Sequence, residues 1–289
     1  MNIINVDVTD YLKFLIPLPS DAAVNRGCVW ALTIILGVAA FGAVGFLLAK
    51  AVTLRTLMPA FLVVSGLFAF CGEWAGDIVY NIYYTSDAPI VLYSAFGRHI
   101  PLWILFLWLA YVPLSTYVAY RLIANRAPIG TLAIFALGAG IIEIASEMLM
   151  CHFGAMNYYG HYAKFLGVPV TSIFQNGFMY LPMGVLIAVW ATKKSEIQWT
   201  LLPIFLAFRF GYVAIVTLPN YLIIGNGDFP PAVAWTVGLI LSAAEIAFAV
   251  RVVKQHYQRL NAAETGVRSD GQAIGTSDTR CTSSKLTPS

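Results

Sequence analysis

Four carboxylates stand where an apolar chain has little use for charge. Glu73 and Asp77 lie in FCGEWAGDIVYN, and Glu143 and Glu147 in GIIEIASEMLMC. A carboxylate at bilayer depth costs about 2.5–3.5 kcal/mol on insertion scales, and packing against lipid gives no reason for it. Glu73, Asp77, Tyr80, Asn81 and Tyr84 follow helical spacing and form one polar stripe. Gly140, Glu143, Glu147 and Cys151 form a second. The carboxylates outnumber the cations expected at their level, so at least one carries a proton at neutral pH, because burial and like charge both penalise ionisation. A protonated carboxyl beside an apolar cavity is a general acid.

Further polar residues cluster near these stripes. Arg98 and His99 precede one apolar stretch; His152, Asn157 and His161 follow another; Asn176 opens the next, after Gln175. His99, His152, Asn157 and Asn176 are read as groups that orient a ligand or relay protons. Tyr80, Tyr84, Trp103, Tyr158 and Tyr159 are read as cavity aromatics whose π-faces stabilise a cation. Plainer roles compete with these. The carboxylates can pair with Arg98, Arg209 or the histidines to hold helices together, though buried ion pairs are an expensive glue. Some of the aromatics belong to an interfacial belt. Two Glu, an Asp and three His would suffice as metal ligands, but the His-x-x-x-His and Glu-x-x-His spacings are absent, and neither metal nor cofactor is expected. Arg209 and Glu245 both fall mid-stretch and are read as a structural ion pair.

The elements that must position these groups follow from composition. The chain of 289 residues is 59% hydrophobic and 11% charged, against about 25% charged in a soluble domain. This predicts an all-α, polytopic membrane protein. Seven apolar spans near 28–51, 56–80, 101–123, 129–151, 172–192, 199–223 and 231–253 are each long enough for a hydrocarbon core of about 30 Å. Residues 1–27 read as an N-terminal surface segment, with Asp7 and Asp10 where a signal peptide would carry basic residues. Residues 254–289 read as a polar, disordered C-terminal tail. The net charge of +3 is too small and too dispersed to favour nucleic acid. Cys28, Cys71, Cys151 and Cys281 show no metal spacing; Cys71 and Cys151 fall near the same depth, so a bridge is conceivable, but inert buried thiols are the expectation.

Orientation follows the basic residues. Lys50, Arg55, Arg121, Arg126, Lys193, Lys194, Arg251, Lys254 and Arg259 fall on one side; Lys13, Arg26, Arg98 and Lys164 fall on the other. The first side is expected to be cytoplasmic, with the N-terminus outside and the C-terminus inside. All four carboxylates then share the outer half of the membrane.

The segment GAMNYYGHYAKFLGVPV, preceded by the glutamates of its helix, resembles a pattern in integral-membrane enzymes of carotenoid and terpenoid metabolism. There a helix Glu is followed by a glycine-aromatic turn and a Gly-Val-Pro that opens the next helix. The pattern is similar in kind to carotenoid hydratases and membrane lycopene cyclases, and more loosely to small seven-helix terpene cyclases. The resemblance spans residues 140–176. It implies Glu143 or Glu147 as the acid, with Tyr158, Tyr159 and Pro169 forming the turn. The Pro-x-Glu-Glu motif of the lycopene cyclases and the DDxxD and DxDD motifs of soluble terpene synthases are absent. The resemblance therefore favours protonation over diphosphate ionisation.

The leading expectation is an enzyme that protonates an alkene or epoxide of an isoprenoid lipid and quenches the carbocation by cyclisation, isomerisation or hydration. Glu73 and Glu147 would serve as acid and base, with Asp77 and Glu143 as the second charges. A proton-coupled transporter could use the same carboxylates. Paired repeats or broken helices would favour it, and the sequence displays neither. A ligand-binding receptor is the third class. A retinal-binding pump is disfavoured, since Lys254 lies only at the end of the last span.

Overall fold

The computed structural model describes residues 18–19, 23–192 and 219–274. The chain is mostly helical. Helix α1 (Arg26–Leu54) begins where the Asn25 side chain accepts a hydrogen bond from the Cys28 amide at 3.2 Å. It ends at Arg55, whose left-handed φ of 50° turns the amide back onto Ala51 and Val52 carbonyls. Next come α2 (Met58–Cys71), α3 (Glu73–Tyr80), α4 (Leu102–Ala124) and α5 (Ile129–His152). They are followed by α6 (Val170–Phe178), α7 (Tyr180–Ala191), a π-helix at Pro219–Ile224 and α8 (Pro231–Ile274). Helix α4 is central and packs on α1, α2, α5 and α7. Among the described residues, five helical stretches are long and apolar enough to cross a membrane, and six if α2 and α3 together make one. The expected span at 199–223 lies mainly outside the described residues.

Two expected boundaries need correction. The stretch 56–80 is not one helix: α2 and α3 meet at Gly72 with a bend of 53°. Gly72 and Gly76 lower helix propensity around Glu73, and the bend turns the polar turn Glu73–Asp77 inward. The second correction is at 254, where the chain does not lose order. Helix α8 continues to Ile274, and its extension is tied to the α4–α5 turn. There Tyr257 Oη donates to the Ala127 carbonyl at 3.0 Å, and Arg126 reaches Asn261 and Glu264. Cys71 is exposed rather than buried, and Cys28, Cys71 and Cys151 are free thiols.

Three two-stranded antiparallel ribbons gather at one end of the helices. Strands β1 (Ile82–Tyr84) and β4 (Met156–Tyr158) pair with Ile82 opposite Tyr158 and Tyr84 opposite Met156. Strands β2 (Val91–Ala95) and β3 (Arg98–Pro101) form a hairpin, as do β5 (Lys164–Phe165) and β6 (Val168–Pro169). Both hairpins turn on a residue pair of positive φ, Phe96-Gly97 (51° and 74°) and Leu166-Gly167 (48° and 88°). That geometry matches the right-handed twist of the strands.

Helices α5 and α6 cross at backbone contact. A Cβ on Gly177 would stand 2.0 Å from the Ala136 carbonyl oxygen, and one on Gly140 would stand 2.8 Å from that of Ile173. These two glycines bring Glu143 and Glu147 of α5 alongside Gln175 and Asn176 of α6.

Candidate active site

Glu73, Asp77, Glu143 and Glu147 all line one buried cavity of about 50 Å³ between α3, α4, α5, α6 and the β1–β4 ribbon. Among the described residues no three His, Cys, Asp or Glu side chains come together as metal ligands. The carboxylates therefore ring a space rather than converge on a point.

The ribbon supplies the hydroxyls. Strand alternation turns Ile82 and Tyr84 of β1, with Met156 and Tyr158 of β4, onto the face that closes the cavity. Tyr84 Oη donates to Glu73 Oε1 at 2.7 Å, and Trp108 Nε1 of α4 donates to Glu73 Oε2 at 2.9 Å. Tyr158 Oη donates to Glu147 Oε2 at 3.0 Å, and Asn176 Nδ2 donates to Glu147 Oε1 at 3.4 Å. Each glutamate thus has a donor on both oxygens, an arrangement that stabilises the anion. Burial first, and then the charges of Asp77 and Glu73, push the Tyr84 phenol well above its ordinary range. Burial and Glu147 do the same to Tyr158. Both phenols therefore stay protonated and act as donors.

Asp77 differs from the glutamates. It is 0% exposed, and neither of its carboxyl oxygens meets a donor in hydrogen-bond geometry among the described residues. Tyr84 lies beside it, but that hydroxyl's single proton is already directed at Glu73. The Tyr84 oxygen can accept from Asp77 only when Asp77 carries a proton. Arg98, buried in β3, acts on Asp77 through space while its guanidinium binds the Tyr159 hydroxyl and stacks 5.5 Å from the Tyr159 ring.

The sequence-expected aromatics divide accordingly. Tyr80, Tyr84, Trp103 and Tyr158 line the cavity, with Trp103 meeting Tyr84 edge-on at 5.3 Å. Tyr159 does not line it and serves Arg98 instead. Of the four expected relay residues only Asn176 is at the site. His99 bonds Ser94 Oγ at 2.9 Å across the β2–β3 hairpin, and His152 is exposed beside Phe153. Asn157 is exposed on the outer face of its ribbon, because a neighbour of Tyr158 in a strand must point the other way. Glu245 is fully buried, and its expected partner Arg209 lies outside the described residues.

Two tyrosines escaped the sequence reading. Tyr111 lines the cavity, donates to the Asn176 carbonyl at 2.8 Å and meets Tyr180 edge-on at 5.2 Å. Tyr221, in the π-helix, donates to Gln175 Oε1 at 3.0 Å and lies 3.2 Å from Ser172 Oγ. Asn220 beside it donates to Thr171 Oγ1 at 3.0 Å. Gln175 and Asn176 thus connect the cavity to a polar layer under the π-helix, a helix type often found at functional sites. A tyrosine within an apolar span gives no sequence signal that separates a core residue from a site residue.

No protein-family model, curated protein or solved structure matches this chain.

Proposed function

We propose that this chain is a membrane-embedded enzyme of seven spans, with its N-terminus outside and its C-terminus cytoplasmic, that acts on an isoprenoid lipid. It protonates an alkene or epoxide and quenches the resulting carbocation by cyclisation, isomerisation or hydration. The observation that carries this reading is the division of labour among the carboxylates. Glu73 and Glu147 are fixed as hydrogen-bond acceptors, while Asp77 is fully buried in the lining of the same cavity.

Asp77 is the acid in this reading, in place of the Glu73 expected from sequence. Its O–H proton forms the new C–H bond with an alkene π-pair, leaving positive charge on the adjacent carbon. With an epoxide it bonds to the oxygen as a C–O bond breaks, leaving the charge on the carbon that loses oxygen. The faces of Tyr84 and Trp103 and the carboxylate of Glu73 stabilise that charge. Glu147, held by Tyr158 and Asn176, removes a proton from a neighbouring carbon and leaves a new double bond. One proton enters and one leaves, so cyclisation or isomerisation needs no co-reactant. Hydration differs only in that a water oxygen attacks the cation and Glu147 takes the water's proton.

Reconstituted protein supplied with a mixed isoprenoid extract in D₂O tests this directly. With an alkene substrate each product molecule gains a carbon-bound deuteron from the acid. With an epoxide the deuteron goes to oxygen and the ring-opened product is followed instead, both by chromatography and mass spectrometry. Asp77→Asn and Glu147→Gln should abolish the labelled product while the protein stays folded. Labelled product at the parent's rate in both variants refutes the acid–base assignment.

One observation favours a second reading. The break between α2 and α3 is of the kind that builds transporter sites. A proton-coupled transporter would move its solute across sealed vesicles with no chemical change in it. The same reconstitution therefore separates the two.

A further inference from the structure

A second cavity adjoins the first and has the opposite character. It is a groove of about 690 Å³ between α1, α4 and α5, within the roughly 300–1,000 Å³ range of sites that hold a small organic ligand. Small residues such as Ala39, Ala110 and Gly138 form it. It opens sideways, between the exposed residues Ile35 of α1 and Ile142 of α5. At its inner end Leu107, Tyr111 and Glu143 line both the groove and the carboxylate cavity. Among the described residues Glu143 is the one charged side chain along the groove, and it stands at that junction.

The two volumes constrain what can bind. The inner cavity, at about 50 Å³, has room for only a few water-sized groups, at roughly 10–15 Å³ each. No isoprenoid body fits there, but the last few atoms of a chain do. The groove holds the body of such a chain and offers its middle and head no charge. A protein helix, about 10–12 Å across with its side chains, is too wide to pass the junction.

We propose that this groove is the lateral entry and binding site for a single linear hydrocarbon chain. The chain's far end passes Tyr111 and Glu143 to reach Asp77, and its polar head stays at the groove mouth. The proposal rests on the acid–base reading above and narrows its substrate class. The lipid reacts at a terminal double bond or terminal epoxide, not along its middle or at its head.

The test uses the full chain in nanodiscs and a linear polyprenol carrying a photoreactive diazirine at its ω-end. Gly138→Trp blocks the groove gently, because a Cβ at this position meets nothing within 4 Å. Gly42→Trp is the control, on an exposed position of α1 equally open and outside the groove. The ω-end probe should label cavity peptides from α3 and the β1–β4 ribbon. Gly138→Trp should reduce that labelling about tenfold or more, and Gly42→Trp should change it by less than about twofold. Moving the diazirine beside the hydroxyl should shift labelling to the groove mouth. ω-end labelling of the cavity that survives Gly138→Trp, or that spreads evenly over the exposed helix faces, overturns the proposal. The two readings fail separately. Groove-dependent labelling with neither deuterium fixation nor epoxide opening leaves the entry site standing and removes the acid–base reading. Deuterium fixation with labelling indifferent to Gly138→Trp does the reverse.

Discussion

Glu73 offers the sharpest separation of a catalytic from a structural carboxylate. Its oxygens accept from Tyr84 Oη at 2.7 Å and Trp108 Nε1 at 2.9 Å, with all three groups buried. Glu73→Ala strands two buried donors, at about 1–3 kcal/mol each, so about 2–6 kcal/mol of stability should be lost. Glu73→Gln keeps the shape. Trp108 can only donate, so the amide oxygen must face it, and the amide nitrogen then faces the Tyr84 oxygen. Each bond to a charged acceptor, worth about 1.5–3 kcal/mol, becomes a neutral bond worth about 0.5–1.5 kcal/mol. The loss of about 2–3 kcal/mol is offset by no longer burying a charge. Glu73→Gln should therefore unfold in detergent within a few degrees of the parent, while Glu73→Ala unfolds clearly earlier. If the Glu73 charge faces the carbocation, Glu73→Gln should slow deuterium fixation by about 10²–10³-fold, the usual effect of removing one preorganised electrostatic partner. The measurements are thermal unfolding and labelled product per folded molecule. Glu73→Gln that is folded and turns over within about threefold of the parent defeats the reasoning, and Glu73 is then a structural acceptor.

Further outcomes follow from packing and topology. Gly177→Ala places a Cβ 2.0 Å from the Ala136 carbonyl oxygen; forcing α5 and α6 apart should cost about 3 kcal/mol or more and separate Glu147 from Asn176, seen as a lower unfolding temperature with loss of turnover. Gly97, at φ 74° in the β2–β3 turn, should lose about 1 kcal/mol on change to Ala, with little effect on a cavity it does not touch. If the chain crosses the membrane seven times, single cysteines at Asn125 and Gly160 should label from opposite sides; labelling from one side refutes that topology.

The carboxylates were legible because charge in an apolar stretch is costly and so stands out one residue at a time. Placing them at a common depth was enough to bring Glu73, Asp77, Glu143 and Glu147 to one cavity. Depth alone could not orient their neighbours. Asn157 and Tyr158 share a level, yet a strand turns one out and the other in. His99 and Arg98 part in the same way on β3. The ribbons were missed because strands of two to five residues carry too little periodicity, and Phe96-Gly97 and Leu166-Gly167 lack the Asn or Asp that marks such turns. The bend at Gly72 interrupts no apolar run, so hydropathy passes over it. In KQHYQRLNAAE, residues 254–264, polarity suggested a tail, but Lys, Gln, Arg, Leu, Ala and Glu are also good helix formers. With contacts to Arg126 and Ala127 available, propensity wins there.

In the acid–base reading proposed above, the break between α2 and α3 positions the site rather than gating it. Irregular backbone in a membrane protein is tolerated where it is buried or lines a cavity; here Gly72 is half-buried, and Glu73 next to it lines the cavity. A straight continuation of α2 would carry Glu73 and Asp77 along the axis of α2. The 53° bend at Gly72 instead lets α3 lie under the β1–β4 ribbon. Asn81 then ends α3 at φ 52° and feeds β1 directly, and its carbonyl accepts from the Tyr159 amide at 3.0 Å. The bend, the left-handed Asn81 and the ribbon register together set the Tyr84–Glu73–Trp108 contact. A gate has to break its contacts in every cycle. Here each donor to Glu73 comes from an element tied to others: β1 to β4, and α4 to α1, α2 and α7. That is the construction expected of a preorganised acid–base site, where partners held in place before reaction give the electrostatic stabilisation.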